Sequence, residues 1–437
     1  MRKLRLLAGL LCAVLQVGAG SMYAQEITSI EELFEYAETH SAQLRPFITA
    51  QTEADKGIDE ALTKRLPDIS AAMSFSYIGD GFTTRRNLSD YEKAPIPHLG
   101  TGLSIDINQP VYTGGAISGS IELAKLNSNA ARLRADLRRD NLRMQITGFY
   151  LDIYKCNNLR QVVESNIMSA RKILADMQAR YDQGTVLQND ITRYELLIAN
   201  LDLQLTKINN TLEILNNNLV TVTGLPENTI IKADSMLLNR SLPVNGENWW
   251  QQECISNSPS LKLARVGIDI SRKAEDIVKS DRLPKIGLQA RWTMDGPILV
   301  EIPPINRNLS YWFVGVGISY NISSLYKNNK ALSRSRISTI KANEEYSAAV
   351  ENADMTVRAD YIKYMEAYEE LKTQEKSVEL AERNYHVVST RYQEGMALIT
   401  DLLDATDSRI NSQQQLINAR INIIYNYYKL LFNTGKI

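Results

Sequence analysis

Residues equipped for covalent chemistry are sparse in this chain and scattered. The three histidines, His40, His98 and His386, lie far apart, and Cys12, Cys156 and Cys254 are too few for a disulfide scaffold or a thiolate metal cluster. No Gly-rich phosphate loop runs into Lys-Ser/Thr, and neither His-Glu-x-x-His nor Gly-x-Ser-x-Gly occurs. Gly114, Gly115 and Gly119 lack the dinucleotide-binding spacing. The residues point to no catalytic group, no cofactor and no resident metal. Asp401 and Asp404, three apart, fall on neighbouring faces of one helix. An Asp near a helix start can simply complement the helix dipole.

These aspartates sit in a duplicated segment. Arg180-Tyr-Asp-Gln-Gly184 recurs as Arg391-Tyr-Gln-Glu-Gly395, an offset of 211 that also carries Asp190 onto Asp401 and Thr223-Gly224 onto Thr434-Gly435. Upstream, Arg65-Leu-Pro-Asp-Ile69 returns as Arg282-Leu-Pro-Lys-Ile286, at offset 217. Two copies favour a pseudo-symmetric pair of modules over a solenoid. The first repeat spans 25–224, a mixed linker 225–257, and the second repeat 258–437. Trp249 and Trp250 in the linker read as packing residues.

Each repeat reads as helix, strand pair, long helix, helix. From Leu187 through Ile191, Tyr194, Ile198, Leu201, Leu205 and Ile208 to Val222, apolar residues recur every three or four positions, a coiled-coil seam over 185–223. The stretches 116–183 and 327–394 hold no Pro and carry the same period, so each reads as one helix of about 100 Å. A last helix covers 396–433. Gly184 and Gly395, each with an Arg in the turn before it, predict helix ends and tight hairpins. Upstream helices are expected near Ile30 to Arg65 and Ser260 to Arg282.

Four segments keep the other period. Residues 68–77, 99–108, 285–295 and 311–321 alternate apolar with small or polar side chains, as strands do. At about ten residues each, they match tilted membrane-crossing strands, apolar toward lipid and polar toward a lumen. A small soluble sheet with one wet face would alternate equally well. The wide joins from Asp80 to His98 and Gly296 to Asn308 favour the membrane. Four strands cannot close a cylinder, so sister copies must supply the rest: eight strands from a dimer or twelve from a trimer, of which twelve leaves room for a channel.

Composition agrees. With 437 residues, 44% hydrophobic and 23% charged, the chain is neither disordered nor collagenous, and a net charge of −1 leaves no nucleic-acid footprint. No apolar run reaches the length of a membrane helix. Arg2, Lys3 and Arg5 precede an apolar stretch from Leu6 to Val17, with a cut expected after Ala24, so 1–24 reads as an export signal. Its removal would leave 46 basic against 50 acidic residues, a charge of −4. Cys156 and Cys254 would then remain, read as free buried thiols.

The signal, the duplication, two strand pairs, the box Gln109-Pro-Val-Tyr-Thr-Gly-Gly115 and the Arg-Tyr-x-x-Gly tips together resemble the TolC family of outer-membrane efflux proteins. The second copy of the box is degraded to Ser324-Leu-Tyr-Lys-Asn-Asn329. The resemblance implies a mainly helical fold with a small β part: a homotrimer, a twelve-stranded barrel in the outer membrane of a Gram-negative bacterium and a helical tunnel through the periplasm. It also implies hairpin tips around Arg180, Tyr181, Gly184, Arg391 and Gly395 that meet a periplasmic adaptor, itself coupled to an inner-membrane transporter. By position, Asp401, Asp404, Asp190 and Tyr392 match the family's periplasmic gate, whereas Ala397 stands where the family carries a linking Arg. The implied role is a passive exit duct for efflux or type I secretion. A periplasmic adaptor or a coiled-coil scaffold is the alternative, although adaptors carry one helical hairpin rather than two copies with lipid-patterned strands.

Overall fold

A computed structural model describes residues 26–27, 29–234, 242–301 and 303–437. The segment 1–24, read as an export signal, lies outside them. The elements run α1 (Ile30–His40), α2 (Arg45–Thr63), β2 (Asp68–Tyr77), β3 (Gly81–Thr83), β4 (Glu92–Ala94), β5 (Leu99–Tyr112), α3 (Ala116–Asp182) and α4 (Gln188–Thr223), after a short first strand β1 (Glu26–Ile27). They continue as β6 (Ile230–Ile231), α5 (Glu247–Asn257), α6 (Pro259–Ser280), β7 (Lys285–Gly296), β8 (Leu309–Ser319), α7 (Ser324–Gln393) and α8 (Ile399–Asn433). The architecture is mainly helical with a small sheet part. It divides into two compact units, one of residues up to Pro46 with 136–259 and 350–437, the other of 47–135 and 260–349. Each unit draws on both repeats.

The sheet belongs wholly to the second unit. Its order is β2-β5-β7-β8, antiparallel throughout. Register places Ile69 beside Ile107, Ile105 beside Trp292 and Trp292 beside Trp312, so one face is continuously apolar. Ser70, Asp106 and Arg291 stand in one row of the other face. The duplicated Arg-Leu-Pro makes the same transition twice: α2 and α6 each end in a turn, with Leu66 N–H on Thr63 O and Leu283 N–H on Ser280 O. The following proline then forces extended backbone into β2 and β7.

The box after β5 acts as a clasp. Gln109 Nε2 donates to Arg65 O at 2.9 Å, and the register shifts by a bulge between Pro110 and Tyr112, where proline has no N–H to offer. Gly114 takes φ +66, and a Cβ there would lie 2.5 Å from Ser280 O, so only glycine fits. The degraded copy is tied down differently: Ser324 to Asn329 already belong to α7, which starts at Ser324 rather than 327, and Asn328 Nδ2 donates to Val278 O at 2.7 Å while Arg282 Nη2 donates to Asn329 Oδ1. Without a glycine pair, Ser323 and Asn321 cap instead, with Lys327 N–H on Ser323 O and Ser324 N–H on Asn321 O, both at 2.9 Å.

Other boundaries move for similar reasons. The helix expected over Ile30 to Arg65 is broken at 41–44: Ser41 closes α1 by donating its N–H to Ala37 O, and Pro46 restarts the chain in the first turn of α2. Strand β5 runs past 108 to Tyr112, and β8 covers 309–319 instead of 311–321. Helices α4 and α8 begin three residues later than 185 and 396, because Leu187 and Leu398 are extended residues at their starts.

The first unit is built on packed helices. Leu33 and Ala37 of α1 pack with Ile146, Tyr150 and Leu219 of α3 and α4. Cys156, Val163, Ile167, Leu201, Ile208 and Ile410 fill the next stretch. Each fully buried aliphatic side chain contributes about 2 kcal/mol. Cys156 and Cys254 are free and buried. Trp250 is fully buried, whereas Trp249 is exposed and holds Lys436 Nζ 4.5 Å over its ring.

Candidate functional site

Both duplicated tips lie in the first unit, and each closes with the same backbone. Gly184 and Gly395 have φ of +75 and +73, and the residue after each returns its N–H to the Arg: Thr185 to Arg180 O at 3.0 Å, Met396 to Arg391 O at 2.8 Å. These are Schellman closures. A Cβ on either glycine would meet nothing within 4 Å, so the requirement is conformational alone.

The side chains diverge. Arg180 is half-buried, pairs with Asp176 at 3.0 Å and donates to Gln393 O at 2.6 Å, tying one tip to the other. Arg391 is exposed. Tyr392 packs among Ile191, Tyr194, Ile399 and Leu402; its hydroxyl is buried without a hydrogen-bond partner among the described residues. Burial, then the negative charge of Asp190, push its phenol above the ordinary range. Tyr181 is instead exposed. Asp190 is half-buried beside Tyr392, while Asp401 caps α8, its carboxylate accepting from Leu398 N–H at 3.0 Å.

A groove of about 660 Å³ runs between the tips, with Arg180, Asp190, Tyr392, Ala397 and Leu398 among its walls. The structure therefore brings Arg180, Asp190 and Tyr392 together, while Asp401 serves as a cap on its own helix. Asp404 stands one turn along α8, exposed, and next comes Asp407. Burial and the Asp404 charge raise the Asp407 carboxyl above the usual aspartate range. Among the described residues, no cluster of three or more His, Cys, Asp or Glu could hold a metal.

Three features were absent from the sequence-based candidates. Asp407 extends the Asp401, Asp404 series by the same step of three, a signal that spacing alone displayed. Leu187 and Leu398, equivalent in the duplication, are each 70% exposed, and Met396 beside them is 69% exposed; the signal was a large apolar residue at a helix start that favours Ser, Thr, Asp or Asn. Arg409 carries a polar brace between helices. Its Nη2 donates to Asn166 Oδ1 at 2.6 Å and its guanidinium lies 3.6 Å from the Tyr385 ring centre, while Asn166 Nδ2 donates to Gln413 Oε1 at 3.2 Å. No spacing rule marks such a brace.

Residues 250–435 match the family model described as outer membrane efflux protein. Over 422 residues, 93% of this chain and 82% of the relative, the sequence is 19% identical to outer membrane protein TolC of Escherichia coli strain K12. The fold is similar to that of the outer membrane protein VceC of Vibrio cholerae, with a TM-score of 0.76 at 16% identity over 93% of this chain and 96% of that one. It is also similar to the open state of the MtrE outer membrane channel of Neisseria gonorrhoeae, with a TM-score of 0.68 at 15% identity over 96% and 93%. Most of its second half thus matches the outer membrane efflux protein family model, its sequence is similar to TolC along nearly its whole length, and its fold is similar to that of such channels.

Proposed function

We propose that this chain is the outer-membrane component of a tripartite export machine, a passive duct that crosses the outer membrane, reaches into the periplasm and is built from three copies. The observation that carries this reading is the sheet. Strands β2 and β8, of 10 and 11 residues, are its edges, each paired on one side only among the described residues. Its apolar face is exposed, with Phe75, Trp312, Val316 and Ile318 all more than 60% open. In hydrocarbon even about five orphaned backbone groups at several kcal/mol each would cost on the order of 20 kcal/mol, more than the roughly 5–15 kcal/mol that holds a domain folded. Sister copies remove that cost. Three copies of the four-stranded sheet make twelve strands, enough to enclose a lumen, whereas eight would be filled by side chains.

The tips are the proposed gate and docking end. Asp401, Asp404 and Asp407 from three copies would ring a narrow neck with carboxylates and favour cations, while Asp190 and Tyr392 hold the facing helices at the groove. Ala397 cannot make the linking contact of an Arg, so closure here rests on the Arg180 and Tyr392 contacts. Arg180, Tyr181, Gly184, Arg391 and Gly395 present the surface for a periplasmic adaptor, with Leu187, Leu398 and Met396 as apolar anchors. The adaptor couples the duct to an inner-membrane transporter that supplies the energy. The duct itself catalyses nothing and needs no cofactor. An adaptor or scaffold role finds no support in the sheet.

The mature chain should float with outer membrane, survive as a detergent-stable trimer and conduct in planar bilayers. Asp401→Asn with Asp404→Asn should lower its cation preference. Acidification should do the same, with Asp407 losing its charge at a higher pH than an ordinary aspartate because burial and the Asp404 charge raise its carboxyl. A monomer soluble without detergent, passing no current, would overturn the reading.

A further inference from the structure

Antiparallel register stacks the sheet in levels, one residue of each strand beside one of the next. On the polar face these levels differ in bulk. Gly287 stands beside Gly317 in one, and Ser74 beside Gly102 in another. Between them stand Gln289 beside Asn108, then Arg291 between Asp106 and Phe313, then Thr293 between Ser104 and Tyr311, while Asp295 shares the level of Ser74 and Gly102. Arg291 Nε donates to Asp106 Oδ1. Thr293 Oγ1 donates to Asp295 Oδ2 at 2.7 Å.

Two aspects of this girdle call for an occupant. Phe313 and Tyr311 place aromatic rings, 43% and 50% exposed, on the polar face of the sheet. Asp106 pairs with Arg291, whereas the exposed Asp295, among the described residues, accepts only from the neutral Thr293 hydroxyl, so the girdle holds two carboxylates to one guanidinium and carries a surplus negative charge. Open ring faces beside uncompensated carboxylate attract organic cations, which stack on the one and neutralise the other.

We propose that the girdle of Asp106, Arg291, Phe313, Thr293, Tyr311 and Asp295 is a binding station for aromatic quaternary ammonium cations inside the duct. The proposal rests on the channel reading, which turns the polar face toward a lumen and brings three girdles to one level. It makes the membrane-crossing part of the duct selective at a place remote in sequence from the tip carboxylates.

The test uses the purified oligomer in planar bilayers, with benzyltrimethylammonium added on the barrel side and benzenesulfonate as the anionic control. The cation should block current at lower concentration than the anion. Phe313→Ser, Tyr311→Ser and Asp295→Asn, each checked for retained trimer, should raise the half-blocking concentration by about two- to five-fold apiece. Asp401→Asn with Asp404→Asn should leave barrel-side block unchanged and weaken only block from the tip side. Equal block by cation and anion, no block, or full block in all three variants would overturn the proposal while leaving the channel standing. An unvaried chain that passes no current would overturn both.

Discussion

The two hairpin tips share a motif, a backbone and a spacing, yet their side chains have parted. At both, the left-handed glycine closes the helix by the same pair of hydrogen bonds. Around that common turn, the first tip keeps its Arg inward, on Asp176 and Gln393 O, and leaves its Tyr outside. The second does the reverse, burying Tyr392 and exposing Arg391. Asp190 and Asp401 divide in the same way, one as a charge beside a buried phenol, the other as a cap on its own helix. Duplication thus preserves what the chain needs locally, the turn, and frees what packing can reassign. Two half-sites that would compete as copies become the halves of one groove.

This contrast can be broken by paired substitutions. Tyr392→Ala should cost about 2 kcal/mol in denaturant unfolding, since a packed aromatic leaves a cavity, whereas Tyr181→Ala should cost less than about 0.5 kcal/mol. Equal losses would mean that the tips are not differentiated. Gly184→Ala and Gly395→Ala should each cost about 1 kcal/mol through the positive φ, and by the same amount, because neither site meets a steric neighbour. An unequal pair here would show that the backbones differ after all.

Smaller effects sharpen the side-chain assignments. Arg180→Ala should cost about 1 kcal/mol by losing the tie to Gln393, and should raise proteolytic nicking at the tips; Arg391→Ala should leave both readings near the parent's. Asp401→Ala should cost about 0.5 kcal/mol as a lost cap, and Asp401→Asn less. Asp190→Asn should lower the phenolic pKa of Tyr392, visible as an earlier alkaline absorbance change that Tyr392→Phe abolishes. With the anion at position 190 gone, less opposes ionisation of the phenol, so the titration should move to lower pH.

Much of the site was legible because local rules govern it. The Arg-Tyr-x-x-Gly repeat marks helix ends by chemistry that acts within one turn, and Asp401 and Asp404 declare a shared helix by their spacing. Illegible were Arg409 with Asn166, residues 243 apart that meet through packing. The helical period continues across Ile30 to Arg65, and only Ser41 and Pro46 mark the break between α1 and α2. Leu187 fits the period of the buried seam, yet it is exposed because the helix starts only after it.

By itself the sequence determined the alternation of periods, the hairpin breaks at Gly184 and Gly395 and the fact of duplication, since each follows from residues a few positions apart and from steric limits on Gly and Pro. Tertiary structure alone decided that the two structural units cut across the two repeats, that Asp106, Arg291 and Phe313 share a level, and which copy of each duplicated residue is buried. Such outcomes depend on register and on side chains hundreds of residues away. A repeated motif specifies its own turn, and only its neighbours in space specify its work.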